Sequence, residues 1–182
     1  MTSAAYAAGP LLLVVGPPGS GRSTQAAILK KDLGMAVISV DELIARHPEK
    51  FQKSRIPTLQ GVDPRLEPVL NELVEEALKS ADLSKGVVLD GYPASKIQGD
   101  FLKGLLELPR AIVIHLQVPD DVVRKRLKSQ KRDIEQELKD YHREFDFIRD
   151  YFPEADIRPV DGTKSPEQVA KQVRKVLETR QN

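Results

Sequence analysis

The feature that most constrains this chain is a Gly- and Pro-rich loop between an aliphatic run and a helical segment. Residues 11–15 read LLLVV, residues 16–21 read GPPGSG, and residues 24–33 read TQAAILKKDL. An aliphatic run bounded by turn residues is typical of a strand that is buried on both faces, as in a parallel sheet. Gly34 follows the helical segment and suits the left-handed conformation in which many helices end. The three segments therefore predict a strand, a tight loop and a helix.

The remainder of the chain repeats this alternation. Short apolar runs predict four further strands, at residues 35–39, 87–90, 111–118 and 157–160. Helical patterns lie between and after them, at residues 41–46, 65–81, 96–106, 120–128, 133–151 and 165–179. Strands that alternate with helices favour right-handed βαβ units and a parallel sheet covered by helices on both faces. We therefore predict an α/β fold with a five-stranded parallel sheet.

Length and composition favour a single domain. The chain has 182 residues, and we expect a flexible tail at residues 1–9 followed by one domain at residues 10–182. The formal net charge of +1 and the low aromatic content of 5% argue against a nucleic-acid partner. The sequence has no apolar run of membrane-spanning length and no Cys, which excludes disulfides, thiolate catalysis and Cys-ligated zinc.

The sequence allows two expectations for the cellular location of the protein. The segment Ala5-Tyr6-Ala7 is similar to the end of a signal peptide, but no hydrophobic stretch precedes it. A cytoplasmic protein is the first expectation. An exported protein, with residues 1–9 as the remnant of a signal peptide, is the alternative.

The Gly/Pro loop also carries the chemistry. Gly16 and Gly21 have the spacing of the pattern Gly-x4-Gly-Lys-Ser/Thr, and Ser23 takes its hydroxyl position. Backbone N–H groups of such a loop converge on phosphate oxygens, and the following helix N-terminus adds its dipole. Arg22 stands where the pattern has Lys, which keeps the charge but replaces a compact ammonium with a planar fork. The predicted phosphate contacts are Gly16, Gly19, Ser20, Gly21, Arg22, Ser23 and Thr24.

Four motifs, in order, resemble those of one family. Residues 16–25 (GPPGSGRSTQ) are similar to G-x-P-G-x-G-K-G-T-Q, and residues 38–45 (ISVDELIA) to I-S-T-G-D-L-L-R. Residues 61–70 (GVDPRLEPVL) are similar to G-x-x-V-P-L-E-x-V-L, and residues 90–98 (DGYPASKIQ) to D-G-[FY]-P-R-x-x-x-Q. These motifs belong to the adenylate kinase family of nucleoside monophosphate kinases, and the chain resembles that family from residue 10 onward.

The resemblance implies an architecture, a reaction and a set of site residues. It implies a nucleoside-monophosphate-binding insertion near residues 40–70 and a short lid near residues 128–137. It implies transfer of the ATP γ-phosphoryl group to a nucleoside monophosphate, first of all AMP, with Mg²⁺. The implied catalytic residues are Arg22, Arg126 and Arg132, and Arg126 also packs on the ATP base. The implied magnesium residues are Ser23, Thr24 and Asp90, and the implied acceptor residues are Ser39, Pro64, Gly91 and Gln98.

Several family positions are changed around the phosphate path. Ala45 and Ala94 stand where the family has the arginines that grip the acceptor phosphate, and Glu137 stands where it has a lid arginine. A charge-assisted contact is worth roughly 1.5–3 kcal/mol, so losing two would weaken acceptor binding by roughly a hundredfold or more. The arginines that could replace them by position are Arg46, Arg55, Arg65 and Arg132.

Three functional hypotheses follow. The first is a nucleoside monophosphate kinase with altered or reduced activity, using ATP and Mg²⁺. The second is a catalytically impaired module that binds nucleotide, and the third is a kinase for another small phosphoryl acceptor. In each case we expect nucleotide ligands, no nucleic-acid or membrane partner, and a monomer.

Overall fold

A computed structural model of the chain describes residues 9–51, 64–105, 111–153 and 155–179. Some of the predicted features lie outside the described residues. These are residues 1–8 of the tail expected at residues 1–9, and residues 52–63 of the expected acceptor insertion, which include Arg55. Within them, no helix is both long and apolar enough to span a membrane.

Five parallel strands form the sheet, as predicted. Their order across the sheet is β2-β3-β1-β4-β5, so β1 lies in the centre. The strands are β1 (Leu11–Val15), β2 (Ala36–Ser39), β3 (Val87–Asp90), β4 (Ala111–Gln117) and β5 (Asp156–Asp161). All five residues of β1 are buried, because helices cover the sheet on both sides.

Eight α-helices connect and cover the strands. They are α1 (Arg22–Leu33), α2 (Val40–Arg46), α3 (Pro48–Phe51), α4 (Glu67–Ser80), α5 (Lys96–Leu105), α6 (Asp120–Leu127), α7 (Ile134–Tyr151) and α8 (Pro166–Glu178), within the described residues. A 3₁₀ turn, Pro64–Leu66, precedes α4.

The two faces of the sheet bury separate apolar clusters. Alternate residues of β1 point to opposite sides, so Leu13 joins one cluster and Leu12 joins the other. The cluster of Leu13 includes residues of α4, α5 and α7, such as Leu73, Leu102 and Ile148. The cluster of Leu12 is closed by α1 and α8. This layering places α7 and α1 on different sides of the sheet, and both reach its carboxyl edge.

Most element boundaries agree with the sequence patterns, and the differences have local causes. The first helix begins at Arg22 rather than at Thr24, because Gly21 supplies the left-handed residue (φ 96°) that starts it. The short helix α3 was not predicted, since its four residues, PEKF, are too few to show a periodicity. Gly34 does end α1 with a left-handed φ of 68°.

Candidate active site

The site is built at the carboxyl edge of the sheet. Val14 of β1 and Ser39 of β2 both lie in register with Asp90, the last residue of β3. The phosphate loop leaves β1 one residue later, so the loop, Ser39 and Asp90 are neighbours. Ligands of open parallel sheets bind at this edge, where strands end and loops converge.

The phosphate loop has a backbone conformation that depends on glycine. Gly19 and Gly21 have φ angles of 70° and 96°, in the region that side chains with a Cβ rarely adopt. A Cβ on Gly16 would lie 2.6 Å from Ser20 Oγ and 3.0 Å from Leu116 O. The N–H of Ser20 donates to Pro17 O at 3.0 Å and closes a turn within the loop. The predicted glycines are therefore required by the fold of the loop.

Ser23 and Asp90, two of the predicted magnesium residues, lie in contact. The Ser23 hydroxyl donates to Asp90 Oδ2 at 2.8 Å. Asp90 is 3% exposed, and its Oδ1 is buried without a hydrogen-bond donor among the described residues. A hydroxyl beside a carboxylate with a spare oxygen is an oxygen donor set that suits Mg²⁺ and its water ligands. The residues present thus fit the ion, and Thr24 lies exposed in the same turn of α1.

Arg22 lies between two carboxylates. Its Nε is 3.7 Å from Asp90 Oδ1, and its Nη1 is 3.9 Å from Glu144 Oε2. The Arg22 side chain is only 12% exposed, so these charges interact in partly dry surroundings. Neither distance is that of a hydrogen bond, and the guanidinium therefore keeps donors for another anion.

Arg126, predicted to contact the donor nucleotide, connects the phosphate loop to the end of the sheet. Its Nη1 donates to Gly19 O at 3.0 Å, and its Nη2 donates to Gly162 O at 3.0 Å and Thr163 O at 3.3 Å. These bonds fix the guanidinium beside the loop. The predicted contact with the ATP base stays a prediction.

Arg132, in the predicted lid, is held by the acid that replaces the family arginine. Its Nε donates to Glu137 Oε1 at 2.7 Å and its Nη2 to Glu137 Oε2 at 2.5 Å. Glu137 is 6% exposed in the first turn of α7, whereas the Arg132 side chain is 35% exposed, so this two-point pair is shielded from solvent on the side of the acid only. The lid segment between α6 and α7 is correspondingly short, at residues 128–133.

The predicted acceptor residues lie on four different segments of the fold. Ser39 ends β2, and Gly91 follows Asp90 with a φ of 80°. Gln98 is 2% exposed in α5, and its Oε1 accepts from the Ala94 N–H at 2.8 Å. Pro64 opens the 3₁₀ turn before α4. Ser39 and Gly91 therefore adjoin Asp90, while Gln98 is held in place by a backbone bond.

One of the candidate replacement arginines, Arg132, lines the cavity beside the phosphate loop. Arg46 pairs with Glu42 of its own helix at 2.8 Å, and its side chain is 69% exposed. Arg65 is also exposed, and Arg55 lies outside the described residues. Among the candidates that the structure describes, Arg132 is therefore the one that lines this cavity.

Two residues that line the candidate site were not among the residues predicted from the sequence. Glu144 and Asp140 lie on α7, and both line the cavity between that helix and the phosphate loop. Burial raises the pKa of Glu144; the Arg22 charge opposes this shift and Asp90 reinforces it. With Glu137 they have the spacing i, i+3, i+7 of one helix face, a signal available in the sequence.

Comparison with known proteins identifies the family of the chain. A family model described as an AAA domain matches residues 15–140. Adenylate kinase from Mycobacterium tuberculosis is 36% identical over 127 residues, which cover 66% of this chain and 70% of the relative. The chain belongs to the adenylate kinase family. Adenylate kinase from Tropheryma whipplei is 33% identical over 124 residues, which cover 66% of both chains.

The family match is incomplete in length. Adenylate kinase from Anaeromyxobacter dehalogenans is 30% identical over 127 residues, and the match spans 59% of its length. The family model and the relatives confirm the predicted nucleoside monophosphate kinase family and P-loop fold. The acceptor, the rate and the roles of single residues within the adenylate kinase site remain predictions.

Proposed function

We propose that this chain binds ATP with Mg²⁺ and transfers the γ-phosphoryl group to a nucleoside monophosphate, with AMP as the first acceptor and with a reduced rate. The observation that supports it is the contact of Ser23 with Asp90 beside a glycine-dependent phosphate loop. The similarity of the chain to adenylate kinases supports the reaction class. Phosphoryl transfer depends mainly on positioning and on positive charge around the moving group.

Each part of the site has a role in this proposal. The loop N–H groups and Arg22 bind the β- and γ-phosphates, and Arg126 and Arg132 approach the donor from the lid side. Magnesium, held by Ser23, Thr24 and Asp90, would neutralise phosphate charge. The acceptor binds across Ser39, Pro64, Gly91 and Gln98. The reduced rate follows because Arg22 and Arg132 are each paired with an acid, whereas Ala45 and Ala94 provide no charge for the acceptor phosphate.

An acceptor panel tests the proposal. The purified chain is assayed with MgATP against AMP, UMP, CMP and GMP, with ADP formation measured by a coupled assay. We expect turnover with AMP above the ATP hydrolysis background. Turnover with a different nucleotide would mean that the acceptor is not AMP. If the chain instead phosphorylated only a sugar or an organic acid added to the panel, it would be a kinase of another class. No turnover with any acceptor contradicts a transfer function.

A second candidate is a module that binds ATP without transferring phosphate. The ion pairs of Arg22 with Glu144 and of Arg132 with Glu137 favour it, because both arginines are needed in the transition state. It predicts measurable ATP affinity with no acceptor-dependent turnover. Arg22→Lys separates the two candidates: a rise in transfer rate supports the impaired kinase, and ATP binding with no transfer in either chain supports the module.

We also propose that the protein is a monomer and that its partners are small molecules. The formal net charge of +1 gives no global field for nucleic acid. A cytoplasmic location remains part of this proposal. Light scattering on a sizing column is expected to give a molar mass near 20.3 kDa, and twice that value would contradict the monomer.

A further inference from the structure

The face of α7 that lines the cavity beside the phosphate loop is acidic. Glu137, Asp140 and Glu144 follow one another on this face of α7 at the spacing i, i+3, i+7. Their side chains are 6%, 9% and 11% exposed. A site that receives phosphate groups ordinarily presents cations to them, so three shielded carboxylates beside the loop require an explanation.

The three acids have different partners. Glu137 makes a two-point pair with Arg132, and Asp140 accepts from Arg143 at 2.6 Å and from Gln136 at 3.2 Å. Glu144 differs, because its ionic contact is with Arg22 of the phosphate loop, at 3.9 Å. Among the described residues, Glu144 is thus the acid of this face that reaches the loop cation.

The geometry of Arg22 makes this contact easy to exchange. Distances of 3.7 Å to Asp90 and 3.9 Å to Glu144 are ion pairs without hydrogen bonds, and they leave the guanidinium donors available. A phosphate oxygen that hydrogen-bonds Arg22 must approach to about 2.8 Å, which brings its negative charge close to the Glu144 carboxylate. The low exposure of both side chains strengthens that repulsion relative to water.

We propose that Glu144 is a positioning residue that acts through Arg22: its carboxylate competes with nucleotide phosphate for the guanidinium and lowers the affinity of the loop for the nucleotide. This inference rests on the proposed binding of ATP. Phosphate binding then requires Arg22 to turn from Glu144 toward the loop.

The test is a comparison of binding affinities by calorimetry. Wild type, Glu144→Gln and Glu144→Leu are titrated with pyrophosphate, with ATP and with adenosine. We expect both variants to bind pyrophosphate and ATP at least about tenfold more tightly than wild type, whereas adenosine affinity stays unchanged. Glu144→Leu replaces the carboxylate by an apolar side chain of similar size, so a folding defect in one variant leaves the other informative.

Two controls separate competition from a structural effect. Glu135→Gln removes an acid from the same helix that is 62% exposed and paired with Arg124, and it should leave all three affinities unchanged. Glu144→Gln in an Arg22→Ala background should give no gain, because the competition acts through that guanidinium. A gain of the same size without Arg22 would contradict the proposal.

The remaining outcomes are distinct from one another. Unchanged or weaker phosphate affinity in both Glu144 variants, with normal ATP binding by wild type, overturns the competition and leaves the proposed function intact. If no variant and no wild-type protein binds ATP or pyrophosphate, both the proposed function and this inference fail. Binding that appears only in the Glu144 variants supports the inference.

Discussion

At the residue scale, Arg22 and Asp90 place one positive and one negative charge beside the phosphate loop. Asp90 receives a hydrogen bond from Ser23 and lies 3.7 Å from Arg22, while its Oδ1 has no donor among the described residues. A buried carboxylate with a spare acceptor is costly unless a cation or donor arrives. The residue therefore has capacity for a ligand that the fold alone does not use.

We predict that Asp90→Asn weakens MgATP binding and removes most of its dependence on magnesium. A charge-assisted contact is worth roughly 1.5–3 kcal/mol, which corresponds to roughly tenfold to a hundredfold in Kd. Calorimetric titration with ATP, with and without Mg²⁺, measures the effect. Asp146→Asn is the matched control, because Asp146 is 59% exposed on α7. If Asp90→Asn kept the magnesium dependence of wild type, the ion would bind elsewhere.

At the scale of elements, α7 is anchored to β4 by an aromatic contact. His115 of β4 stacks on Phe145 with ring centroids 3.9 Å apart, and its Nε2 lies 2.7 Å from the Tyr141 hydroxyl. Both partners belong to α7, on the turns that flank Glu144. The contact between β4 and α7 thus helps to set where the acidic face of that helix lies.

Burial lowers the pKa of His115 below its usual value of 6.5, which predicts a pH-dependent stability. The folded chain binds this proton less readily than the unfolded chain, so the contribution is full above pH 6.5 and is lost as the pH falls below it. Urea unfolding at pH 7.5 and 5.5 should show a smaller fall in stability for His115→Gln than for wild type. His142→Gln, which removes an exposed histidine, is the control; equal falls in all three chains would contradict the assignment.

The last helix, α8, carries a local start signal at its N-terminus that can be tested alone. Ser165 accepts from the Gln168 N–H while the Gln168 side chain accepts from the Ser165 N–H, a complete capping box. We expect Ser165→Ala to lower the free energy of unfolding by about 1 kcal/mol. Urea denaturation measures it, with Ser80→Ala at the end of α4 as the control. A loss below the error of that experiment would mean that packing alone defines the helix start.

At the scale of the whole molecule, the candidate site draws on both layers of the fold. Arg22 belongs to α1 on one side of the sheet, Glu144 to α7 on the other, and Asp90 to the sheet between them. A ligand bound beside Arg22 and Asp90 would stabilise the folded arrangement of these layers, because it binds the folded chain and not the unfolded one.

We therefore predict that MgATP raises the thermal midpoint of the chain. At a free concentration of about 100 times Kd, binding adds about 2.7 kcal/mol to the free energy of unfolding. For a chain of this length that corresponds to a rise of roughly 5–10 °C in Tm. Differential scanning fluorimetry measures the shift, and adenosine is the control without phosphates. An unchanged midpoint at saturating ATP would contradict binding in the folded state.

Local signals in the sequence predicted most of the architecture. Aliphatic runs between turn residues located all five strands, and the order of strands and helices predicted a parallel sheet. The spacing of Gly16, Gly21 and Ser23 located the phosphate loop, and glycine conformation in the structure agrees with that pattern. These features depend on neighbours along the chain, which is why the amino-acid sequence by itself determined them.

Only the tertiary structure decided which charges face each other across the site. The acids of α7 have the spacing of one helix face, but their sequence does not say that this face lies against Arg22. Likewise, only the structure shows that Glu137, one of the changed positions, pairs with Arg132. Contacts between distant segments depend on how helices pack on the sheet, and burial then sets the strength of each charge interaction. For this reason the sequence determined the position of the candidate phosphate loop, and the packing of α7 decided which acid the loop arginine meets.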